Sequence, residues 1–399
     1  MSLTSTSPAS TSVKPATRGA WNLVVADVGW FSTANLFRET PGDRASTLLL
    51  RCSDYRVAWQ QGKWPFGRNK PASRWSSTIW EQDLVLPTGW MKSYPRLGMR
   101  PIAQAARRWK TLVEGRDDPT ALVMTYPHYL DLARRLRPER LVYFNVDDYR
   151  LYWPRSANRV DRLEREAVRL ADLTVCASRF RADELRASNP ESASKIRHLP
   201  HGAASASIPP QPQHLPGPDP LDLAGLPRPW VGYVGTLEDR VDWALLDQVA
   251  RTNPRASIIL VGRVGPRGSA RWREDRRRCL ARGNVHAVGW RDQAVIDTYN
   301  RSFDLGLIPY RTDHPFNVAS CPTKIMDYMA AGRPVVATDL PECRLHCEVF
   351  DVVSPGDFAS AVNNRLSIGP DDGRASARWQ IARGESCRSV VSRLLDWIE

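Results

Sequence analysis

Two consecutive carboxylates, Asp147 and Asp148, close the run Leu141-Val-Tyr-Phe-Asn-Val-Asp-Asp. The apolar residues before them read as a buried strand. The acids then stand at its carboxyl end, where α/β sheets place their ligands. Adjacent acids raise each other's pKa and burial adds to the effect, which is the tuning a general base needs. An acid in that position can equally be a loop or helix-cap residue. The residues by themselves leave both readings open.

A second group has the chemistry of anion binding. Ser320-Cys-Pro-Thr-Lys-Ile-Met-Asp327 reads as a turn into a helix that starts at Pro322. Thr323 and Lys324 fall in its first turn, where a lysine opposes the helix dipole and makes better sense beside a bound anion. Asp327, three residues on, can face the same cleft. A carboxylate there can accept hydrogen bonds from ribose hydroxyls. Upstream, Trp230-Val-Gly-Tyr-Val-Gly235-Thr236 reads as a strand whose last glycine lets a ligand approach the backbone, with a phosphate-favouring helix start beyond it. It is not G-x-G-x-x-G, which counts against a dinucleotide. The plain alternative for both segments is an ordinary βαβ unit with a surface lysine.

These groups need sheets to hold them. Short apolar runs at 23–28, 47–51, 121–125, 141–145 and 173–177 predict strands, with a helix at 158–171 between the last two. A second series follows at 230–234, 258–261, 285–288, 305–308, 334–338 and 349–353. Strands alternating with helices predict an α/β fold with parallel sheets covered on both faces. Between the series, 8 of the 27 residues 203–229 are proline, which ends sheet and helix alike. The division predicted is a disordered tail at 1–20, an acceptor-binding domain at 21–205 and a linker at 206–229. A nucleotide-sugar domain follows at 230–376, and a terminal segment at 377–399 whose helix packs back toward the first domain.

The stretch Gly232 to Glu342 resembles the donor half of GT-B glycosyltransferases, group 1. It carries Gly232-Tyr-Val-Gly235, Val261-Gly262, Val288-Gly289-Trp290, Leu307-Ile-Pro-Tyr310, Pro322-x-Lys324-x-x-Asp327-Tyr and Ala331-Gly-x-Pro-Val-Val336. The resemblance implies two Rossmann-like, doubly wound parallel-sheet domains facing a cleft, with UDP or another nucleoside diphosphate in the C-terminal half. On it, Gly235, Thr236 and Lys324, with Thr323 and Tyr310 beside them, would line the diphosphate. Trp290 and Arg291 would sit by the base, and Asp327 would hold the ribose. The sequence departs from the family in two places. Many retaining members carry Glu-x₇-Glu ending at the position of Asp327, and here the first position is Ala319. Where an Arg and a Lys are usual, only Arg240 stands, with Arg263 as a second candidate. The strand ending in Asp147 is similar to one in the membrane-associated glucuronosyltransferase of xanthan assembly, where the acid serves as base. That similarity points to Asp147 first and Asp148 second.

Residues 100–113 read as an amphipathic helix. Ile102, Ala105, Ala106, Trp109, Leu112 and Val113 share a face flanked by Arg100, Arg107, Arg108 and Lys110. Such a helix can lie on an anionic membrane or turn its apolar face to a core. The chain has 399 residues and a net charge of +13, which favours polyanions in general. Eight arginines between 263 and 282 invite a nucleic-acid reading. With no recognisable binding module or aromatic platform, none is expected. Seven cysteines in odd number predict reduced thiols. Cys343, His346 and Cys347 lack a second ligand pair at zinc spacing, so no metal site is predicted.

The function expected is sugar transfer from a nucleotide donor, UDP-linked, to a lipid-linked or polysaccharide acceptor in cell-surface or exopolysaccharide assembly. No metal or other cofactor is expected, since no Asp-x-Asp motif precedes the donor site. With no apolar leader or span, the expected place is cytoplasmic, peripheral on an anionic membrane. Two rivals stand beside it: a nucleotide-sugar epimerase on the same fold, and a non-catalytic basic protein that binds nucleic acid.

Overall fold

The computed structural model describes residues 21–60, 70–91, 93–265 and 268–399. The tail expected at 1–20 lies outside them. Two parallel sheets organise the chain. The first holds β1 (Trp21–Ala26), β2 (Ala45–Asp54), β3 (Ser73–Arg74), β4 (Ile79–Leu86), β5 (Thr120–Met124), β6 (Arg140–Asn145), β7 (Leu173–Cys176) and β8 (Ile196–His198). Their spatial order is β3-β4-β2-β1-β5-β6-β7-β8, and only the short β3 runs antiparallel. The second holds β9 (Trp230–Val234), β10 (Ser257–Val261), β11 (Val285–Gly289), β12 (Leu305–Ile308), β13 (Val335–Thr338) and β14 (Asp351–Val353), in the order β11-β10-β9-β12-β13-β14. Helices cover both sheets, and the architecture is GT-B.

The central strands are continuous apolar runs because both their faces are buried. In Trp21–Ala26 and Ser257–Val261 every residue is buried. The sequence reading missed β4 for the same physical reason in reverse. Glu81 and Asp83 interrupt its apolar run, and each is met by a neighbour: Arg38 Nε lies 2.6 Å from Glu81, and Arg51 Nη1 lies 3.0 Å from Asp83.

The proline-rich segment is pinned to the second domain. Gly217 N–H donates to Arg301 O at 2.8 Å, and Trp379 Nε1 donates to Pro209 O at 2.8 Å. Asp222 accepts from Tyr299 and Arg291. The last helix, Cys387–Ile398, buries Val390, Val391, Leu394 and Leu395 against Leu23 and Val25 of the first sheet. The chain therefore ends on the domain in which it began.

One expectation is corrected. The apolar face of the helix Pro95–Lys110 does not lie outward for a membrane. Ile102, Ala105, Ala106 and Trp109 are buried in the core of the first domain, with Trp109 1% exposed. Its ring meets Trp80 edge-on at 5.9 Å between centroids. The flanking Arg100, Arg107 and Arg108 are exposed, while Lys110 donates to Thr120 Oγ1 at 2.7 Å. The pattern fitted either reading, and the sheet face beneath the helix decided it. Trp109→Ala should destabilise the protein by about 3–5 kcal/mol, as large core deletions do. Urea unfolding measures this. A loss within about 0.5 kcal/mol, the range of surface substitutions, would place the side chain outside the core.

Candidate active site

Two cavities open between the domains at the carboxyl ends of the strands. The first, about 580 Å³, is lined by Gly235, Thr236, Arg240, Arg263, Trp290 and Arg291. Tyr310, Thr323, Lys324 and Asp327 complete that wall. The second, about 790 Å³, contains Asp147. Thr236, Arg240, Tyr310, Thr323 and Lys324 line both, so the cavities meet at this group.

The junction is cationic, and the local sequence explains how. Helix Lys324–Ala331 follows Thr323, which makes no side-chain cap, and ends on Gly332 in the left-handed region (φ 68°). Lys324 is buried in the first turn. Its ammonium donates to the Tyr310 hydroxyl and lies 4.4 Å and 4.9 Å from the Tyr310 and Tyr233 ring centroids. Neither Lys324 nor Arg240 has a carboxylate within ion-pair distance among the described residues. The Arg240 guanidinium sits 4.7 Å from the Phe316 ring centroid. Burial raises the Tyr310 pKa, but Lys324 and Arg240 outweigh it and hold the hydroxyl below its ordinary range. Two cations with aromatic neighbours, and no carboxylate in ion-pair distance among the described residues, are an arrangement that can receive an anion.

Close packing opens the space in front of them. Gly235 has φ 145° and a Cβ there would lie 3.2 Å from Lys324 Nζ. Gly262 has φ 147° and a Cβ would come 2.0 Å from Gly235 O. Side chains at these positions would be strained and would push on the junction. At the far end of the first cavity Arg263 lies 5.2 Å over the exposed Trp290 ring. Arg291, which also lines the cavity, pairs with Asp222 at 2.5 Å. Asp327 has its pKa pushed up to about 7, first by burial and then by Asp297 nearby. Asp297, on helix Gln293–Ser302, also lines this cavity and accepts from Ser207 Oγ at 2.6 Å.

The two adjacent acids separate in role. Asp147 lines the second cavity and accepts from Tyr152 Oη at 2.9 Å through Oδ2. Burial lifts its pKa to about 6, against the lowering effect of Tyr152 and Arg240. Asp148 is corrected as a catalytic candidate. It caps helix Tyr149–Tyr152 through Arg150 N–H at 3.0 Å and pairs with Arg150 Nη2 at 2.7 Å. Burial raises its pKa, but the bonds to Arg150 and the charge of Arg181 hold it below the usual value. A capped, paired carboxylate is a structural anion and a poor proton acceptor.

The sequence reading missed the wall opposite Lys324. Trp30 and Ser32, just beyond β1, line both cavities. The loop that carries them is anchored by Thr125, whose Oγ1 donates to Asp27 O at 2.8 Å and accepts from Asp27 N–H at 2.7 Å. Trp30 Nε1 donates to Tyr126 Oη at 2.9 Å, and its ring stands 5.9 Å from Tyr152. The signal was a tryptophan directly after a buried strand, Asp27-Val-Gly-Trp30. Among the described residues no cluster of three His, Cys, Asp or Glu is placed to hold a metal, and the seven cysteines are unpaired.

Residues 228–367 match the family model described as glycosyl transferases group 1. A protein of Bacillus subtilis (strain 168) with the provisional name teichuronic acid biosynthesis glycosyltransferase TuaH is 24% identical over 239 residues. The match covers 59% of this chain and spans only 58% of that relative. Among solved structures, trehalose-6-phosphate from E. coli bound with UDP-2-fluoro glucose is similar at TM-score 0.64 and 12% identity, covering 95% of this chain and 99% of that one. Anabaena Alr3699/HepE in complex with UDP and glucose is similar at TM-score 0.62 and 16% identity, covering 95% and 100%. By fold the chain is a GT-B protein, and its C-terminal domain matches the group 1 glycosyl transferases.

Proposed function

We propose that this protein is a metal-independent glycosyltransferase that takes a sugar from a UDP-sugar and passes it to a glycan acceptor, lipid-linked or polysaccharide. The observation that carries the reading is the junction of the two cavities. An anion site built from Lys324 and Arg240 separates a long groove in the C-terminal domain from a chamber holding a raised-pKa carboxylate. The diphosphate fits the junction, and uridine fits the groove toward Trp290 and Asp327. The donor sugar then projects toward Asp147. Residues 230–376 form the donor half and 21–205 the acceptor half. UDP and UDP-sugar complexes of the similar structures support the donor class. The teichuronic acid name of the Bacillus protein supports a cell-surface glycan as acceptor.

In this reading Asp147 takes the proton of an acceptor hydroxyl. Tyr152 occupies Oδ2 and leaves Oδ1 for that hydroxyl. The acceptor oxygen bonds to the anomeric carbon as the bond from that carbon to the β-phosphate oxygen breaks. The electron pair leaves with UDP, whose growing charge meets Lys324 and Arg240 already in place. An epimerase would need no acceptor. UDP released only when acceptor is present separates the two.

Asp147→Asn should keep the fold and UDP affinity and lower transfer by about 10²–10⁴-fold, the usual cost of losing a general base. In the wild type, Asp147 is ionised above its raised pKa, so transfer should climb with pH through about 6 and level off above it. UDP release followed across pH reads both effects. Transfer by Asp147→Asn at the wild-type rate would rule out the base.

The donor half makes a separate prediction. Lys324→Ala should weaken UDP about 10- to 150-fold, the worth of a charge-assisted contact, and spare uridine. Asp327→Ala should weaken uridine and UDP alike, because it removes a ribose partner. Calorimetric titration distinguishes them. Unchanged affinities in both variants would remove the donor site from this half.

A further inference from the structure

In the proposed transfer the donor sugar sits in the second cavity, and the wall of that cavity is poor in positive charge. Among the described residues that line it, the cationic side chains are Lys324 and Arg240 alone. Both also line the first cavity, at the junction assigned to the diphosphate. Arg263 and Arg291 line the first cavity and not the second. The histidines of the second cavity, His201 and His314, add no charge near neutral pH. Burial pushes His201 down to about 4, against the raising effect of Glu342. Burial also lowers His314, whose Nδ1 accepts from Phe316 N–H at 3.3 Å.

Carboxylates are better represented. Asp147, Glu238 and Asp239 all line this cavity. Glu238 and Asp239 lie in the loop after β9, directly before Arg240. Both are half-buried, and neither side chain has an ion pair or a hydrogen bond among the described residues. Arg311, which feels the charge of Asp239, pairs with Asp313 at 2.9 Å and is not on the cavity wall. His201 is buried in the same wall, and its Nδ1 has no hydrogen-bond partner among the described residues. Once a diphosphate has taken Lys324 and Arg240, the chamber holds hydrogen-bonding groups and negative charge, with no cation to spare.

We propose that the second cavity selects a donor sugar without negative charge, Glu238 and Asp239 accepting from its hydroxyls and repelling a carboxylate at C6. An ionised carboxylate only accepts hydrogen bonds, which suits a ring rich in hydroxyl donors. A uronate in the same place would leave water and meet Asp147, Glu238 and Asp239 with no free cation. A desolvated charge without a partner is costly, and like charges placed against it are a means of rejecting the wrong ligand. His201, held neutral, can bond a hydroxyl but cannot offset a carboxylate. The strand that ends in Asp147 is similar to one in a glucuronosyltransferase. That similarity concerns the base, and the charge of the chamber points to an uncharged hexose. The inference rests on the transferase reading and deepens it by naming the class of sugar.

The test is calorimetric titration of the full chain with pairs of donors that differ only at C6: UDP-glucose with UDP-glucuronate, and UDP-galactose with UDP-galacturonate. In each pair the neutral sugar should bind more tightly, by at least about tenfold in the pair that binds better. Glu238→Gln with Asp239→Asn should narrow that ratio to within about threefold without weakening UDP. A uronate that binds as tightly as its neutral partner overturns the inference, and the wild type alone decides this. A double variant that binds UDP and keeps the full ratio also overturns it. UDP is titrated on the same samples. A wild type that does not bind UDP overturns the transferase reading and this inference with it, whereas UDP bound without discrimination at C6 removes the sugar assignment alone.

Discussion

A lysine ammonium held in the protein interior, with no carboxylate in ion-pair distance among the described residues, sets the terms for the site. Burying a cation is costly unless something compensates. At Lys324 the described partners are neutral: the Tyr310 hydroxyl and the faces of two tyrosine rings. Arg240 stands on the same wall, also without an ion pair among the described residues. Much else in the C-terminal domain follows from keeping that charge in place with room before it. Gly235 and Gly262 pack backbone against backbone where side chains would fill the space. Gly332 ends the lysine's helix in a conformation that lets the chain return under Gln213, whose oxygen a Cβ would approach to 2.6 Å.

The first domain answers with a carboxylate in the opposite condition. Asp147 is lifted toward neutral pH by burial, while the acid beside it is spent on Arg150 and a helix start. Neighbouring residues with the same side chain have received different protonation behaviour from their surroundings. The domains are joined where this matters. Glu342 of the second domain accepts from Arg179 N–H at 2.9 Å and lies 3.1 Å from His198 Nε2, both in the first. The terminal helix returns to pack beneath β1, the strand that presents Trp30. Relative placement of Asp147 and Lys324 therefore rests on several contacts distributed along the chain.

The two sheets were legible because buried parallel strands are nearly uninterrupted apolar runs. Trp230–Val234 and Leu305–Ile308 could be read to the residue. β4 could not, since its carboxylates are satisfied by arginines distant in sequence. The helix Pro95–Lys110 shows a different limit. Its stripe told which residues share a face, and only the sheet beneath could tell whether that face meets water, lipid or core. Local motifs brought Lys324, Asp327 and Asp147 to notice. Trp30 escaped because its importance comes from Tyr126, Tyr152 and a cleft that no local pattern encodes.

The central claim is that the cations Lys324 and Arg240 receive a nucleoside diphosphate. A crystal structure of the protein with UDP tests it most directly. The account predicts phosphate oxygens within hydrogen-bonding reach of Lys324 Nζ and the Gly235–Thr236 backbone, the ribose at Asp327, and the β-phosphate toward Asp147. UDP bound elsewhere on the molecule, with Lys324 still held only by Tyr310, would contradict it.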